Sequence, residues 1–158
     1  MSSIASNKER AMNTTAPATL NPSIIGQAEK HHTAVLTRAL AGTTLDEKQW
    51  IVLNQALAVG TPVDPAAHVT RVTAMTQWNP ADTGIALTTL LESGLLRATS
   101  GDLVEPTEDG VALAGKVRGE SSAIVAAAYG AVAPEDLATA ARVLTTITAR
   151  MAEELARA

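Results

Sequence analysis

Cysteine and phenylalanine are absent from this chain of 158 residues, which has one tyrosine and only two tryptophans, Trp50 and Trp78. Without cysteine, disulfides, thiolate nucleophiles and thiol-based redox sensing are excluded. The scarcity of aromatic residues argues against a β-sandwich or barrel, because sheets are rich in aromatic side chains. Alanine, leucine, valine and threonine must therefore form the core, and alanine and leucine favour helix.

Cations are also scarce: the chain has 12 Lys and Arg against 16 Asp and Glu, for a formal net charge of −4. This balance predicts no general attraction to nucleic acid or to an anionic membrane. No apolar run approaches the roughly 18 residues of a membrane span, and the N-terminus lacks the continuous apolar stretch of a secretory signal. We therefore expect a cytoplasmic protein with no membrane partner.

The first part of the chain predicts a tail followed by two helices. Residues 1–21 are rich in Ser, Thr, Asn and Ala, which is typical of a disordered tail. Apolar residues at helical spacing predict the first helix over 22–42, where Gly42 ends it. The segment Thr44-Leu45-Asp46-Glu47 matches a capping box, and it begins a second helix that ends at Gly60.

Two shorter helices follow, each introduced by a cap residue and a proline. Asp64-Pro65 begins a helix that runs to about Met75, and Asn79-Pro80 begins one that runs to about Ser93. The turn of about three residues between them is the spacing of a helix-turn-helix.

After these helices the apolar period changes to that of a strand. Leu95–Thr99 and Leu103–Pro106 predict a short β-hairpin around a turn of Ser100, Gly101 and Asp102. Two long helices follow, from Thr107 to about Tyr129 and from Pro134 to the C-terminus. The apolar face of the last one comprises Leu137, Ala141, Leu144, Ile147, Met151 and Leu155. The predicted fold class is mainly α: a winged helix-turn-helix with six helices and a short β-hairpin wing.

Three segments, in this order along the chain, resemble the MarR family. Residues Thr44–Leu53 are similar to the opening of its second helix, Leu90–Arg97 to the end of its recognition helix and the next strand, and Pro106–Gly110 to the turn after its wing. The resemblance implies a MarR-like domain at 22–158, within which residues 44–106 form the winged helix lobe.

The family also implies a homodimer that forms through the terminal helices, 22–42 and 107–158. The sequence supports this independently, because the helix after the hairpin has more apolar surface than so small a chain covers alone. Its apolar residues include Val111, Leu113, Val117, Ile124 and Val125, followed by a run of alanines. The alternative is a self-contained bundle.

The predicted DNA-binding lobe departs from the family in its charge. Between Asp64 and Gly110 there are two cations, Arg71 and Arg97, and seven carboxylates, which give this segment a net charge of −5. The predicted recognition helix has no Lys or Arg, although family members often carry Arg there, and its Asp82 would face a phosphate. The wing tip is cut to a three-residue turn without a cation. DNA affinity depends on neutralising phosphates, so the expected binding is weak.

Two functions therefore stay open. In the first, the protein is a MarR-like homodimeric transcriptional regulator that binds a small ligand, with weakened or unusual binding to duplex DNA. The candidate DNA contacts are Arg71, Gln77, Thr83, Thr88, Thr89 and Arg97. In the second, the fold has lost DNA binding and binds or transforms a small molecule in the cleft between the lobes, as a biosynthetic enzyme would. Family frequency favours the first function, and electrostatics favours the second.

The family's cleft often holds aromatic or phenolic anions. The residues that are candidates to line it in this chain are His32, Trp50, His68, Arg71 and Trp78. An Arg or His beside an indole suits an aromatic carboxylate, because the charge pairs with the anion and the ring stacks. For Trp50 and His32 the competing interpretation is a place in the core.

Metal, cofactor and covalent chemistry find little support in the sequence. The only His-containing cluster is Glu29, His31, His32 and His68, and we expect no metal there, since a site needs three or four convergent ligands. Phosphate-binding glycine loops and the nucleophile elbow are absent, so no cofactor is expected and catalysis is the less favoured function. Acid–base work by a histidine with a carboxylate partner is the only chemistry these residues readily allow.

Overall fold

The computed structural model describes residues 18–158. The predicted tail lies outside the described residues except for positions 18–21, which belong to no helix or strand. The chain divides into two units between Ala34 and Val35. In order, the elements are α1 (Pro22–Leu40), α2 (Glu47–Val59), α3 (Pro65–Thr76), α4 (Pro80–Glu92), β1 (Leu96–Ala98), β2 (Val104–Pro106), α5 (Glu108–Gly130) and α6 (Pro134–Arg157). The prediction of six helices and a two-stranded hairpin is confirmed over this part of the chain.

The caps of α3 and α4 explain where the helix-turn-helix begins and turns. Asp64 accepts a hydrogen bond from the Ala67 amide at 2.9 Å, and Asn79 accepts one from the Ala81 amide at 2.8 Å. In each helix a proline follows the cap, where its missing N–H costs nothing. Between them, Gln77 adopts a left-handed conformation with φ of 59° and ends α3.

The capping box predicted at Thr44 is wrong, because α2 begins two residues later. Asp46 is the N-cap: its carboxylate accepts from the Gln49 amide at 2.8 Å, and the Gln49 side chain accepts from the Asp46 amide at 3.2 Å. The pattern of a capping box occurs twice in this segment, offset by two residues. The Thr43 hydroxyl accepts from the Leu45 amide, and Leu45 is buried, so the backbone here stays in the loop.

The wing is a minimal antiparallel hairpin. Its register pairs Leu96 with Pro106, Arg97 with Glu105 and Ala98 with Val104. The Thr99 amide donates to the Leu103 carbonyl at 2.7 Å, which closes the predicted three-residue turn. Val63 extends the sheet, since it exchanges two backbone hydrogen bonds of 2.8 Å with Val104.

The core of the second unit surrounds α2, which packs against α3, α4, α5 and β2. The largest fully buried side chains are Val52, Leu53, His68, Val72, Thr83, Leu90, Leu96 and Val117. Burial of aliphatic side chains of this size supplies about 1.5–3 kcal/mol each, the main stabilisation in a chain with few aromatics.

A tight junction fixes the wing against the start of α5. The Thr107 amide donates to the Leu95 carbonyl at 3.1 Å, and its hydroxyl donates to the Gly94 carbonyl at 2.6 Å. The same hydroxyl oxygen accepts from the Gly110 amide at 3.1 Å and so caps α5. At Gly110 an added Cβ would lie 2.2 Å from the Leu95 carbonyl oxygen. The junction therefore depends on the hydrogen bonds of Thr107 and on the absence of a side chain at Gly110.

The C-terminal helices bury almost nothing in the single chain. No residue of α6 is buried, and none is buried in α5 beyond Val117. The exposed large apolar residues of the two helices are Val111, Ile124, Val125, Tyr129, Val143, Leu144, Ile147, Met151 and Leu155, and Val132 is exposed in the turn between them. Among the described residues, none of the helices has both the length and the apolar character needed to cross a membrane.

Candidate functional site

The helix-turn-helix presents one face of α4 to solvent. The exposed residues of this helix are Pro80, Ala81, Asp82, Ile85, Thr88 and Glu92, and Thr89 is half-buried beside them. None is a cation, so the sequence-based expectation of an uncharged to acidic recognition helix holds on its exposed face. Thr83, a predicted DNA contact, is fully buried, and its hydroxyl donates to the Asn79 carbonyl at 3.2 Å.

The threonine hydroxyls on this face bond to the helix itself. Thr88 donates to the Gly84 carbonyl at 3.1 Å, and Thr89 donates to the Ile85 carbonyl at 2.9 Å. Gln77, at the end of α3, is exposed and donates from its side-chain amide to the Ala74 carbonyl at 2.9 Å. The hydroxyl donors of Thr88 and Thr89, and one of the two amide hydrogens of Gln77, are thus used within their own helices in this conformation.

The two cations of the predicted DNA-binding segment both have partners. Arg97 on β1 is paired across the hairpin with Glu105, whose Oε1 lies 2.8 Å from Nη2 and 2.9 Å from Nε. Arg71 on α3 is exposed, and its guanidinium donates to Nδ1 of His68 at 2.7 Å. The carboxylate of Glu105 therefore offsets the one cation of the wing.

His68 is a buried structural histidine on α3, with an exposed fraction of 1%. Its Nε2 lies 2.9 Å from the Val52 carbonyl on α2 and its Nδ1 accepts from Arg71. A carbonyl only accepts and a guanidinium only donates, so the proton must be on Nε2. Burial lowers the pKa of His68; the hydrogen bond to Val52 raises it, and the Arg71 charge lowers it further.

The two tryptophans occupy different environments. Trp50 on α2 is buried in the core cluster, which agrees with the competing interpretation of this residue. Trp78 lies in the turn before α4, where the ammonium of Lys48 is 5.2 Å from the centre of its ring. Lys48 was not predicted as a site residue, because Lys48 and Trp78 are thirty positions apart and the sequence gives no local signal of their contact.

His32 lies in the first unit, on the exposed surface of α1. Its Nδ1 is 2.6 Å from the Ala28 carbonyl, one turn earlier. His31 makes the equivalent contact with Gln27 at 2.7 Å. Within residues 18–158, no three His, Asp or Glu side chains converge as a metal site.

Among the described residues, three of the cavities open on the second unit. One of about 230 Å³ lies between the end of α2, the start of α5 and β2, and is lined by Ala56, Leu57, Gly60, Thr61, Pro62, Glu105, Pro106 and Val111. A second, of about 670 Å³, is lined by residues of the wing base and the first turns of α5, including Arg97, Thr107 and Asp109. A third, of about 340 Å³, lies between α2 and α4 and includes Lys48 and Ile85. The five predicted ligand residues line none of these three cavities.

Together these elements define a winged helix-turn-helix protein. The sequence matches no protein-family model, and no curated protein matches it. Solved structures match well: CouR of Rhodococcus jostii, bound to p-coumaroyl-CoA, has a TM-score of 0.67 and 19% identity over 79% of this chain and 89% of that chain.

Two further solved structures also have a similar fold. MarR of E. coli, in its reduced form, has a TM-score of 0.61 and 14% identity over 83% of this chain and 95% of that chain. A MarR family protein of Mycobacterium tuberculosis, in complex with p-aminosalicylic acid, has a TM-score of 0.58 and 15% identity over 82% of this chain and 98% of that chain. The chain has the winged-helix fold of MarR-family transcriptional regulators.

Proposed function

We propose that this protein is a ligand-responsive transcriptional regulator that acts as a cytoplasmic homodimer and binds duplex DNA with reduced affinity. The observation that carries the proposal is α4, which follows α3 and a short turn and presents one solvent-exposed face beside a hairpin wing. In a helix-turn-helix the second helix enters the major groove, and a wing lies next to the backbone. This chain has both parts in that order.

The reduced affinity follows from the charges around α4. The segment from Asp64 to Gly110 contains two cations and seven carboxylates. One of these carboxylates, Glu105, forms an ion pair with Arg97. Each phosphate contact contributes about −0.9 to the slope of log affinity against log salt. Of the two cations in this segment, Arg71 is the one that is not paired with a carboxylate. We therefore expect the affinity for DNA to depend only weakly on salt concentration.

A second copy of the chain is the partner proposed for the terminal helices. The exposed apolar face of α6 comprises Leu144, Ile147, Met151 and Leu155, and the far half of α5 also buries nothing. An apolar surface of this length is rare on a monomer, and a two-fold contact would cover it on both copies.

A small aromatic or phenolic ligand is proposed to regulate the dimer. The proteins of similar fold include one bound to p-coumaroyl-CoA and one in complex with p-aminosalicylic acid, and both ligands carry an aromatic ring. The cavity between α2, β2 and α5 is the candidate pocket, with the apolar Leu57, Pro106 and Val111 among its lining. The sequence-based set of ligand-binding residues stays a proposal and comprises His32, Trp50, His68, Arg71 and Trp78.

DNA binding is tested by selecting duplexes from a random library at about 50 mM salt and measuring affinity as salt rises. We expect an enriched pseudo-palindromic site whose affinity falls as salt rises. Arg71→Gln should flatten the salt slope by about 0.9 per protomer, or about 1.8 for the dimer, whereas Arg142→Gln, on exposed α6, should not change it. Failure to enrich or retard any duplex at this salt would contradict the proposal.

The acidic lobe favours one alternative: a protein of this fold that has lost DNA binding and binds or transforms a small molecule. The observation behind it is the Arg97–Glu105 pair together with the net charge of −5. Tryptophan emission and melting temperature, titrated with aromatic carboxylates and phenols, test ligand binding independently of DNA. Ligand binding without any DNA binding would select this alternative.

A further inference from the structure

The side chains on the exposed face of α4 offer no free hydrogen-bond donor. Asp82 and Glu92 only accept, and the hydroxyl hydrogens of Thr88 and Thr89 are held by the carbonyls of Gly84 and Ile85. The remaining exposed side chains of Pro80–Glu92, all of which the structure describes, are apolar. The face therefore presents acceptors and apolar groups.

Ile85 is the most exposed large apolar side chain of the winged helix lobe, with an exposed fraction of 64%. On the helix surface, Ala81 and Asp82 lie one turn before Ile85, and Thr88 and Thr89 lie one turn after it. Ile85 is therefore in the middle of the exposed face. Because the described residues leave most of Ile85 uncovered, its side chain is available to contact a ligand of the face.

The major groove distinguishes bases by donors, acceptors and one apolar group, the thymine methyl. Guanine presents two acceptors there, N7 and O6, which a face without donors cannot satisfy. Cytosine and adenine present amino donors, which suit Asp82 or Glu92. The thymine methyl suits an exposed aliphatic side chain.

We propose that Ile85 is a specificity residue which recognises a thymine methyl group in the major groove, on a face of α4 that disfavours guanine. The inference rests on the proposed DNA binding and adds the base that the helix selects. Specificity of this kind needs no cation on the recognition helix, so it is compatible with the acidic lobe.

The test compares the selected duplex with copies in which single thymines are replaced by uracil, which removes only the methyl group. At one thymine per half-site, uracil should weaken binding about fourfold, as expected for one buried methyl group. In Ile85→Ala the same replacement should have no effect. Because Ile85 is exposed, this variant should retain the wild-type melting temperature.

Met75→Ala is the matched control, since Met75 is also exposed and apolar but lies on α3. It should leave the fourfold effect of uracil unchanged. If uracil has no effect at any position, or weakens Ile85→Ala as much as the native protein, DNA binding stands and the role of Ile85 is overturned. If no duplex binds at all, both the proposed function and this inference fail.

Discussion

At the scale of single residues, His68 joins α3 to α2 through one proton. Its neutral form donates to Val52 and accepts from Arg71, both at ordinary hydrogen-bond distances. A second proton on Nδ1 would remove the acceptor and place two cations side by side. The sequence identified the residue, but only the tertiary structure shows that both ring nitrogens are used internally.

We predict that acid destabilises the protein through His68. Its pKa is lowered in the folded state, so the unfolded chain binds the proton first as pH falls below the ordinary value of 6.5. Its stabilisation is complete above that pH and is lost as pH falls towards the folded pKa, by at most about 1.4 kcal/mol per pH unit. Urea unfolding at a series of pH values measures this slope.

His68→Gln keeps a side-chain donor for Val52 and removes the titration. It should lower the free energy of unfolding at neutral pH but flatten the dependence of that free energy on pH below 6.5. An unchanged pH dependence in this variant would show that His68 is not the group responsible.

Gly110 provides the second prediction at this scale. Gly110→Ala places a methyl group 2.2 Å from the Leu95 carbonyl oxygen, so α5 must shift away from the wing. We expect a loss of roughly 1–3 kcal/mol in the free energy of unfolding, measured by urea titration. Gly115→Ala, on the same helix with open space around it, should instead stabilise by up to about 1 kcal/mol. Equal effects of the two substitutions would refute the steric explanation.

At the scale of elements, the β-hairpin wing carries one cation, Arg97, and the carboxylate that pairs with it, Glu105. Across the turn at Ser100–Asp102 the hairpin pairs Arg97 with Glu105, because these positions are equally far from the turn. This register places the two charges in direct contact. This exposed pair contributes at most about 1 kcal/mol to stability.

Glu105→Gln should therefore strengthen DNA binding with little change in stability. It frees Arg97 of each protomer for a phosphate, so the salt slope should steepen by about 0.9 per protomer and affinity at low salt should rise. Fluorescence anisotropy with a labelled duplex measures both. Glu153→Gln on α6 changes the net charge equally, away from the wing, and serves as the control. Equal gains from both variants would attribute the effect to net charge alone.

At the scale of the whole molecule, the apolar faces of α5 and α6 are exposed in the single chain, and a second copy is the partner that we propose to bury them. Ile147→Glu places a charge in the middle of the α6 face, and we expect the dimer to dissociate and the melting temperature to fall. Light scattering after size exclusion measures the mass. Thr146→Glu lies about 100° around the same helix, and this exposed position should retain the native mass. A dimer that survives Ile147→Glu with unchanged affinity would argue for a different interface.

Much of the architecture was determined by the sequence alone. Helix starts at Pro65 and Pro80, the three-residue wing turn and the long amphipathic α6 follow from local caps, turn residues and periodicity, which act over a few neighbouring positions. The acidity of the winged helix lobe is likewise a property of composition. The one misplaced cap, at Thr44, arose because two local patterns overlapped and burial of Leu45 chose between them.

Only the tertiary structure decided what the candidate site residues contact. It buried His68 and Thr83, left Ile85 exposed, placed Lys48 over Trp78 and opened cavities away from the predicted ligand residues. These outcomes depend on how α2, α3 and α4 pack, and therefore on residues far apart in the chain. Periodicity identifies an apolar face, but packing determines which apolar residues stay uncovered, and the large one that is uncovered on α4 is Ile85.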